Sequence, residues 1–264
     1  MKILFFGDIV GKIGRQAIKK VLPEMIKDYQ PDLVIANVEN LAHGTGVTKG
    51  TLAEMAEAGI DFFTSGNHIF KKPEADELLT AKDSVLLRPA NYPPTVPGHG
   101  FKLVEVGSRS ILVVNIIGRV FMKEDFDCPF RAIDEILAEV KRKNLAGIIV
   151  DFHAEATSEK VAFGWYVDGR VSAVLGTHTH VPTADAKILP QGTAYISDVG
   201  MVGAADSVIG DQKEPIIKSF LIQTSHPLEI PEEGEVEVDA VLLELDPKSQ
   251  KAVKLTRVDR KVEV

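Results

Sequence analysis

The sequence predicts an α/β fold in which helices cover a β-sheet of mixed strand direction. Over roughly the first two hundred residues, short apolar segments typical of buried strands alternate with segments that carry apolar residues at helical spacing. The middle and the C-terminal part instead contain strand-like segments in pairs, each pair separated by a short turn. Because a purely parallel sheet contains no such hairpins, we expect a mixed sheet.

Four segments are predicted to be helical, namely residues 10–29, 51–59, 73–79 and 130–144. Pro23 lies inside the first segment and predicts a kink or a break, because proline lacks the N–H that a helix interior uses. Gly59 ends the second segment, and Pro73 stands in the first turn of the third. Both residues are typical of these positions.

Two hairpins are predicted in the rest of the chain. The first joins residues 101–106 to 109–117, and the second joins 236–246 to 251–264 around the turn DPKSQ. The acidic stretch at 231–239 is interpreted as a solvated turn leading into an edge strand, without a functional role. Since the chain has no internal repeat and no linker rich in Gly, Ser or Pro, residues 1–264 are expected to form a single domain.

Charge and composition disfavour several classes of protein. The net charge of −8 disfavours long nucleic acids and anionic membranes as partners, but not a small phosphate substrate, because bound divalent cations would reverse the local potential. No apolar run reaches the roughly 18 residues of a membrane span. The N-terminus lacks a secretory pattern, and the single Cys128 cannot form an internal disulfide, so a cytoplasmic location is expected. The sequence leaves open whether the protein forms a homo-oligomer.

The sequence lacks two common motifs, one for nucleotide binding and one for ester hydrolysis. GDIVGKIG resembles a phosphate-binding loop, but only three residues separate its first glycine from the Gly-Lys pair, and Ile13 follows Lys12 where Ser or Thr is needed. The pattern Gly-x-Ser-x-Gly of α/β-hydrolases is absent. The glycines after the first strand-like segment are therefore interpreted as a turn that exposes Asp8.

Five strand-like segments each end in residues that commonly bind metal ions. These residues are Asp8, then Glu39 and Asn40, then Asn67 and His68, then His153, and finally His178 and His180. Because ligands bind beyond the carboxyl ends of strands in open α/β sheets, we expect these residues to meet at one edge of one sheet. Carboxylate, amide and imidazole groups without thiolates predict a metal site with oxygen and nitrogen ligands, and hence an enzyme.

Taken singly, each of these residues also has an ordinary structural interpretation. Asn67 and its neighbour could cap a turn, Glu39 could cap a helix or pair with a lysine, and His153 could be a hydrogen-bonded core histidine. In an extended segment, His178 and His180 would point the same way, towards one metal or two adjacent metals. The conjunction of five such strand ends favours the metal site.

Other polar residues are weaker candidates for the functional site. His43 is a candidate contact to a substrate, since it lies four residues after Glu39. Asp206 and Asp211 are interpreted as part of a structural turn. Surface roles are expected for three basic residues that could in principle bind phosphate, namely Lys12, Arg15 and Arg119.

The motifs resemble those of the calcineurin-like metallophosphoesterases in order and spacing. The motifs of that family stand here as GDIV, NVEN, GNHIF, DFH and GTHTH, within residues 7–180. Val10 replaces the usual His of the first motif, and Glu39 and Asn40 replace the usual Gly-Asp of the second. These departures, with the surrounding NVENLAHGTG and GTHTHVPTAD, resemble the YmdB-like branch of bacterial 2′,3′-cyclic-nucleotide 2′-phosphodiesterases over nearly the full chain.

This resemblance implies a four-layer α/β/β/α sandwich with mixed sheets and a centre of two metal ions, iron or manganese. The first metal would be bound by Asp8, Glu39, Asn40 and His180. The second would be bound by Glu39, Asn67, His153 and His178, with Glu39 as the bridge. His68 would be the catalytic proton donor. Adjacent residues of a regular strand point to opposite faces, so joint use of Glu39 and Asn40 requires a turn there.

The implied activity is hydrolysis of a small nucleotide phosphodiester, from a 2′,3′-cyclic nucleotide to a 3′-nucleotide. A hydroxide activated by the two metals would attack phosphorus, and His68 would act as general acid. Two alternatives stay open at this point. One is a phosphomonoesterase or nuclease on the same scaffold, and the other is a regulatory protein that senses a nucleotide or a metal with little turnover.

Overall fold

Two β-sheets lie face to face, with helices on their outer faces, in the computed structural model of the chain. The structure describes residues 1–140, 145–224, 227 and 229–264. The strands are β1 (Lys2–Ile9), β2 (Leu33–Asn37), β3 (Phe62–Thr64), β4 (Phe101–Val106), β5 (Arg109–Ile117), β6 (Leu145–His153), β7 (Ala173–Thr177), β8 (Lys187–Ile188), β9 (Ala194–Ile196), β10 (Met201–Ala204), β11 (Glu235–Val238), β12 (Ala240–Asp246), β13 (Lys251–Arg257) and β14 (Arg260–Glu263). The helices are α1 (Gly11–Tyr29), α2 (Lys49–Ala58), α3 (Ala75–Thr80), α4 (Pro129–Glu139), α5 (Thr157–Tyr166) and α6 (Lys213–Ile222).

The first sheet is organised around β1. On one side β1 pairs in parallel with β2, which pairs in parallel with β3. On the other side, residues 2–6 of β1 pair with the antiparallel β12, whereas Asp8 and Ile9 pair with the parallel β10. β13 follows β12, and β11 and β14 follow β10. The carboxyl ends of β1, β2 and β3 therefore lie at one edge.

The second sheet has six strands in the order β4-β5-β6-β7-β9-β8. β5, β6, β7 and β9 are parallel, and the edge strands β4 and β8 are antiparallel to their neighbours. The β4–β5 pair is the first predicted hairpin, which is confirmed. Both sheets are mixed in strand direction, as the sequence predicts.

Three apolar clusters separate four layers. Along β1, Ile3 and Phe5 belong to the cluster between the two sheets, whereas Leu4 and Phe6 belong to the cluster beneath α1. This division follows from the alternation of side chains along a strand. A third cluster packs α4 and α5 against the outer face of the second sheet. The order helix, sheet, sheet, helix confirms the predicted α/β/β/α architecture.

The predicted helix limits need correction at three places. α1 continues through Pro23, which lies on its exposed face, so water can reach the carbonyl group that the proline leaves without an N–H partner. α3 begins at Ala75, so Pro73 precedes the helix instead of standing in its first turn. α4 ends at Glu139, and residues 141–144 of that prediction lie outside the described residues. None of the described helices is long and apolar enough to cross a membrane.

The second predicted hairpin is divided into two strand pairs. β12 and β13 are antiparallel as expected, but Asp239 separates β12 from β11. The backbone N–H of Asp239 donates to Met201 and its carbonyl accepts from Gly7, so the chain changes its partner strand there. β11 lies between β10 and β14, and the prediction that 231–239 leads into an edge strand is wrong.

Candidate active site

The five ligand-bearing segments meet at one end of the molecule. They supply Asp8 from β1, Glu39 and Asn40 after β2, Asn67 and His68 after β3, His153 from β6, and His178 and His180 after β7. Three of these strands belong to the first sheet and two to the second, so the prediction of one edge of one sheet is wrong. The stacked sheets have the carboxyl ends of these parallel strands on the same side, and both edges contribute to one site.

Glu39 lies between two groups of side chains, and the first group contains Asp8, Asn40 and His180. His180 Nε2 lies 3.2 Å from Asn40 Nδ2 and 3.9 Å from Asp8 Oδ1. Glu39 reaches this group through Oε1, which is 3.3 Å from Asn40 Nδ2. The chain turns at Glu39 and Asn40, as the joint use of these adjacent residues requires.

The second group contains Asn67, His153 and His178. His153 Nε2 lies 3.2 Å from Asn67 Oδ1 and 3.0 Å from His178 Nδ1. Glu39 reaches this group through Oε2, which is 3.3 Å from His153 Nε2. Ligand atoms of Glu39, His153 and His178 all lie within 4.8 Å of one another. One carboxylate therefore touches both groups through its two oxygens.

Each histidine of the two groups presents one nitrogen to the centre and the other to an acceptor. The outward nitrogens are His153 Nδ1, 2.9 Å from Thr177 Oγ1, His178 Nε2, 3.1 Å from Glu155 Oε2, and His180 Nδ1, 2.7 Å from the carbonyl oxygen of Ile209. A ring that donates its N–H outward keeps an unprotonated nitrogen for a metal. The three rings are thus oriented as metal ligands require.

The site has the charge and the space that a cation needs. Asp8 is fully buried, and its Oδ1 has no hydrogen-bond partner among the described residues. Such an oxygen is costly to bury unless a positive group satisfies it. At Gly66, a Cβ atom would lie 2.2 Å from both Glu39 Oε2 and His153 Nε2, so only glycine leaves this space open. The donor set of carboxylate, amide and imidazole groups fits a metal centre.

The buried charges are strongly coupled. Burial would raise the pKa of Glu39, but the neighbouring His153 and His68 outweigh it and hold that pKa well below its usual range. Burial would lower the pKa of His153, but Glu39, Asp8 and Asp151 raise it to about 9. The three carboxylates around His153 thus favour positive charge at this point of the site. A bound cation would supply that charge.

His178 differs from its neighbour His153. Burial, together with the positive charge of His153, lowers the pKa of His178 to about 3, so its ring is neutral. Burial also raises the pKa of the Asp8 carboxyl group. Neutral imidazole is the form that binds a metal ion.

The segment GTHTH is not extended, contrary to the prediction. β7 ends at Thr177, and His178 and His180 adopt left-handed backbone conformations with φ of 101° and 64°. Such conformations are strained for residues other than glycine and persist only where surrounding contacts fix them. Two carboxylates supply such contacts, because Asp8 Oδ2 accepts the backbone N–H of His178 and Asp198 Oδ2 accepts the backbone N–H and the hydroxyl group of Thr179.

His68 stands beside Glu39 rather than among the ligands of either group. Its backbone N–H donates to Glu39 Oε2 at 3.0 Å, and its Nδ1 lies 2.8 Å from Asn40 Oδ1. About one third of the side chain (33%) is exposed, and it lines a cavity of about 1300 Å³. The ring is therefore fixed through one nitrogen and accessible from the cavity.

The cavity above the site has a volume of about 1300 Å³. Its walls include residues of the site and also His43, Asp211, Gln212, Glu229, Ile230, Glu232 and Glu233. Residues 231–233, interpreted from the sequence as part of a solvated turn without a functional role, therefore line the cavity. His43 does line the cavity, as considered, and Asp211 lines it as well.

Ile230 explains why the acidic segment reaches the cavity. A Cβ atom at Gly11 would lie 2.9 Å from its Cδ1, and one at Gly44 would lie 2.5 Å from the same atom. Both glycines have positive φ, of 62° and 78°. Ile230 thus packs onto two glycine turns that flank the site. Neither periodicity nor local motifs predict such a contact. The one sequence signal for it is the glycine in each of the two turns, because a residue without a side chain leaves room for another side chain to pack.

The sequence matches a family of known proteins. A family model described as YmdB-like protein matches residues 4–258. The chain belongs to the YmdB-like family. A 2′,3′-cyclic-nucleotide 2′-phosphodiesterase of Bacillus subtilis (strain 168) is 44% identical to it over 259 residues, which cover 98% of this chain and 96% of that protein.

Two crystal structures are similar to this YmdB-like protein over its whole length. One is of a hypothetical protein from Thermus thermophilus, with a TM-score of 0.91, 41% identity and 99% of each chain covered. The other is of a novel phosphatase from Mycoplasma pneumoniae, with a TM-score of 0.92 and 36% identity, covering 100% of this chain and 94% of that one. The predicted family and fold are confirmed.

Proposed function

We propose that this YmdB-like protein is a metal-dependent phosphodiesterase that converts 2′,3′-cyclic nucleotides into 3′-nucleotides. The observation that carries the proposal is the convergence of two groups of potential ligands on the single carboxylate of Glu39 beneath a cavity of about 1300 Å³. A cavity of this size accommodates a nucleotide. The activity named for the B. subtilis relative supports the substrate class.

Two iron or manganese ions would occupy the two groups. The first would be held by Asp8, Glu39, Asn40 and His180, and the second by Glu39, Asn67, His153 and His178. When bound, such ions neutralise phosphate charge and lower the pKa of water. Asn40 and Asn67 carry no charge, so the proposed ligands neutralise only part of the charge of the two metal ions. The remaining positive charge is available to bind the phosphate. The mixture of oxygen and nitrogen donors suits iron and manganese.

His68 would supply the proton for the leaving group. A hydroxide derived from water would form the new bond to phosphorus as the bond to the 2′ oxygen breaks. His68 Nε2 would protonate the departing 2′ oxygen, which gives a free 2′ hydroxyl group and a 3′ phosphate. Asn40 Oδ1 accepts the hydrogen bond of His68 Nδ1 at 2.8 Å and Glu39 accepts its backbone N–H, so the ring is held with Nε2 available to a substrate.

Product identification tests this reaction. The purified protein, reconstituted separately with iron and with manganese, is incubated with 2′,3′-cyclic AMP, and the products are separated and identified. We expect 3′-AMP. Formation of 2′-AMP would contradict the proposed bond cleavage, and absence of hydrolysis with two metals bound would contradict the substrate class.

A phosphomonoesterase is the second candidate, favoured by the crystal structure of the related M. pneumoniae phosphatase. It predicts that 3′-AMP is degraded further to adenosine and phosphate, faster than the cyclic nucleotide is opened. Long nucleic acids fit less well, because Glu229, Glu232 and Glu233 line the cavity and repel additional phosphates.

Two further features stay predictions from the sequence, namely the single-domain organisation of residues 1–264 and the cytoplasmic location. The sequence leaves open whether the chain forms a homo-oligomer. Size-exclusion chromatography with light scattering would give the oligomeric state.

Replacement of His68 by Ala is expected to slow turnover by about 10²- to 10⁴-fold, which is the usual contribution of a general acid. Both metals are expected to stay bound, because His68 is not among the proposed ligands. Steady-state kinetics on 2′,3′-cyclic AMP and metal analysis of the same sample measure the two effects. His99→Ala, in an exposed loop, is the matched control. Unchanged turnover of His68→Ala would remove this residue from the mechanism.

Gly66→Ala is expected to reduce activity by about 10²-fold or more, because misplacement of reacting groups by about 1 Å has effects of this size. The added Cβ atom would lie 2.2 Å from Glu39 Oε2 and from His153 Nε2, and both residues are buried and cannot move aside. Gly50→Ala is the control, since a Cβ atom there meets no described atom within 4 Å. Normal manganese binding by Gly66→Ala would contradict the proposed position of the centre.

A further inference from the structure

We propose that Asp151 and Thr177 are positioning residues that hold His153 in the tautomer with the proton on Nδ1, so that Nε2 is free to bind a metal ion. This inference rests on the metal centre of the proposed function. It concerns two side chains that do not line the cavity and that lie in the motifs DFH and GTHTH without being among the predicted ligands.

Asp151 lies on β6, two residues before His153, and is fully buried between the sheets. Its Oδ1 lies 2.7 Å from Thr177 Oγ1. Its Oδ2 accepts hydrogen bonds from Asn37 Nδ2 at 2.9 Å and from Thr64 Oγ1 at 2.5 Å. The amide N–H of Asn37 can only donate, and the hydroxyl groups of Thr64 and Thr177 can donate as well, so Asp151 is placed to accept from all three.

The single hydroxyl proton of Thr177 decides the tautomer of His153. Thr177 Oγ1 lies 2.7 Å from Asp151 Oδ1 and 2.9 Å from His153 Nδ1, but it can donate to only one of them. A hydrogen bond to a carboxylate is roughly twice as strong as one between neutral groups, so the proton is directed to Asp151. The oxygen of Thr177 is then an acceptor, and His153 Nδ1 must carry the proton that it accepts.

Asn37 does not compete for His153 Nδ1. The orientation of its amide group is fixed, because Oδ1 accepts the backbone N–H of Glu39 at 3.1 Å. Its two N–H groups have shorter contacts to Asp151 Oδ2, at 2.9 Å, and to the carbonyl oxygen of Ser65, at 3.2 Å, than to His153 Nδ1, at 3.5 Å. The hydrogen bonds among these three residues therefore run in one direction: His153 Nδ1 donates to Thr177 Oγ1, and Thr177 Oγ1 donates to Asp151 Oδ1.

The opposite ring nitrogen lies where the second metal is proposed. His153 Nε2 is within 3.3 Å of Glu39 Oε2, Asn67 Oδ1 and His178 Nδ1. If His153 carried its proton on Nε2 instead, that nitrogen could not bind a cation. The two buried residues thus act on the metal through His153.

Asp151→Asn tests the direction of donation with almost no change in shape. Its amide oxygen can still accept from Asn37 and Thr64, but its NH₂ group would then face Thr177 Oγ1. Thr177 would have to donate to His153 Nδ1, and the proton of the ring would move to Nε2. We expect the affinity of the second Mn²⁺ ion to fall by about 10- to 100-fold, which is typical for the loss of a partner that orients a metal ligand.

Thr177→Val and Thr177→Ser form the matched pair. Valine removes the acceptor and is expected to weaken the second Mn²⁺ site to a similar extent, whereas serine keeps the hydroxyl group and is expected to retain affinity within a few-fold. Mn²⁺ binding to the full chain is measured by titration with detection of the free ion by electron paramagnetic resonance. The thermal midpoint of each variant in EDTA separates metal binding from folding.

The outcomes distinguish this inference from the proposed function. If the natural sequence binds no Mn²⁺, the metal centre and the positioning role are both overturned. If it binds two ions and Asp151→Asn and Thr177→Val bind both with unchanged affinity, the positioning role alone is overturned. Equal losses in Thr177→Ser and Thr177→Val would also overturn it, because the hydroxyl group would then be irrelevant.

Discussion

Glu39→Gln is expected to remove at least one metal ion and to lower phosphodiesterase activity by about 10³-fold or more. The Glu39 side chain touches both groups of potential ligands, through Oε1 at Asn40 and through Oε2 at His153. An amide of the same shape carries no charge and offers only one oxygen, so it cannot serve both ions. A bound metal contributes several kcal/mol to transition-state stabilisation, and about 4 kcal/mol corresponds to about 10³-fold in rate.

Metal content and turnover must be measured on the same preparation of Glu39→Gln. Elemental analysis after reconstitution gives the number of ions per chain, and initial rates on 2′,3′-cyclic AMP give the activity. Glu105→Gln, an identical change at an exposed position of β4, is the control and is expected to behave like the natural sequence. Two bound ions with full turnover in Glu39→Gln would show that this carboxylate is not the shared ligand.

The strand ends were predictable because they depend on local sequence and on a general property of α/β sheets. An apolar segment of β-strand length followed by Asp8, Glu39 or His153 places a polar group where the strand leaves the core. The resemblance to the metallophosphoesterases then grouped these residues. The structure brings all eight together, although it draws them from two sheets instead of one.

The cavity walls were not predictable, because they depend on contacts between distant segments. Ile230 lies in an acidic stretch without periodicity, and it reaches the site only through its packing on Gly11 and Gly44. Asp211 follows β10 in the first sheet and lies in a loop whose sequence is typical of an ordinary turn. Local sequence patterns carry no information on such pairings.

The prediction that GTHTH is extended was wrong for a similar reason. Alternation along an extended segment predicts that His178 and His180 share a face, but both adopt left-handed conformations. The cause is a distant carboxylate, since Asp198 binds Thr179 and thereby bends the segment. A sequence pattern gives the period of a strand, but it cannot show where a partner about 20 residues away ends that strand.

Lys160→Met is expected to destabilise the protein by about 3–5 kcal/mol, which is the usual effect of removing one partner of a buried ion pair. Lys160 Nζ lies 2.7 Å from Asp198 Oδ2 and 2.8 Å from the carbonyl oxygen of Thr177. Both charged side chains are nearly fully buried, at 3% and 1% exposure. Without the ammonium group, the carboxylate that holds Thr179 would be left with an unpaired charge in the core.

Two variants make the test of Lys160 specific. Lys19→Met removes an exposed ion pair with Glu54, at 2.8 Å, and is expected to cost less than about 1 kcal/mol. Lys160→Met combined with Asp198→Asn removes both buried charges and is expected to recover part of the lost stability. Denaturant unfolding of the metal-free chains measures all three.

The same ion pair connects stability to the proposed metal site, because it restrains the segment that carries His178 and His180. If the buried pair only stabilises the fold, the double variant should recover metal affinity together with stability. If the charge of Asp198 is needed to hold Thr179 and the two strained histidines, the double variant should regain stability but still bind Mn²⁺ weakly. The strain of two left-handed residues, about 1–3 kcal/mol each, favours the second result, since a neutral amide accepts the bonds of Thr179 less strongly. Full recovery of Mn²⁺ affinity would contradict it.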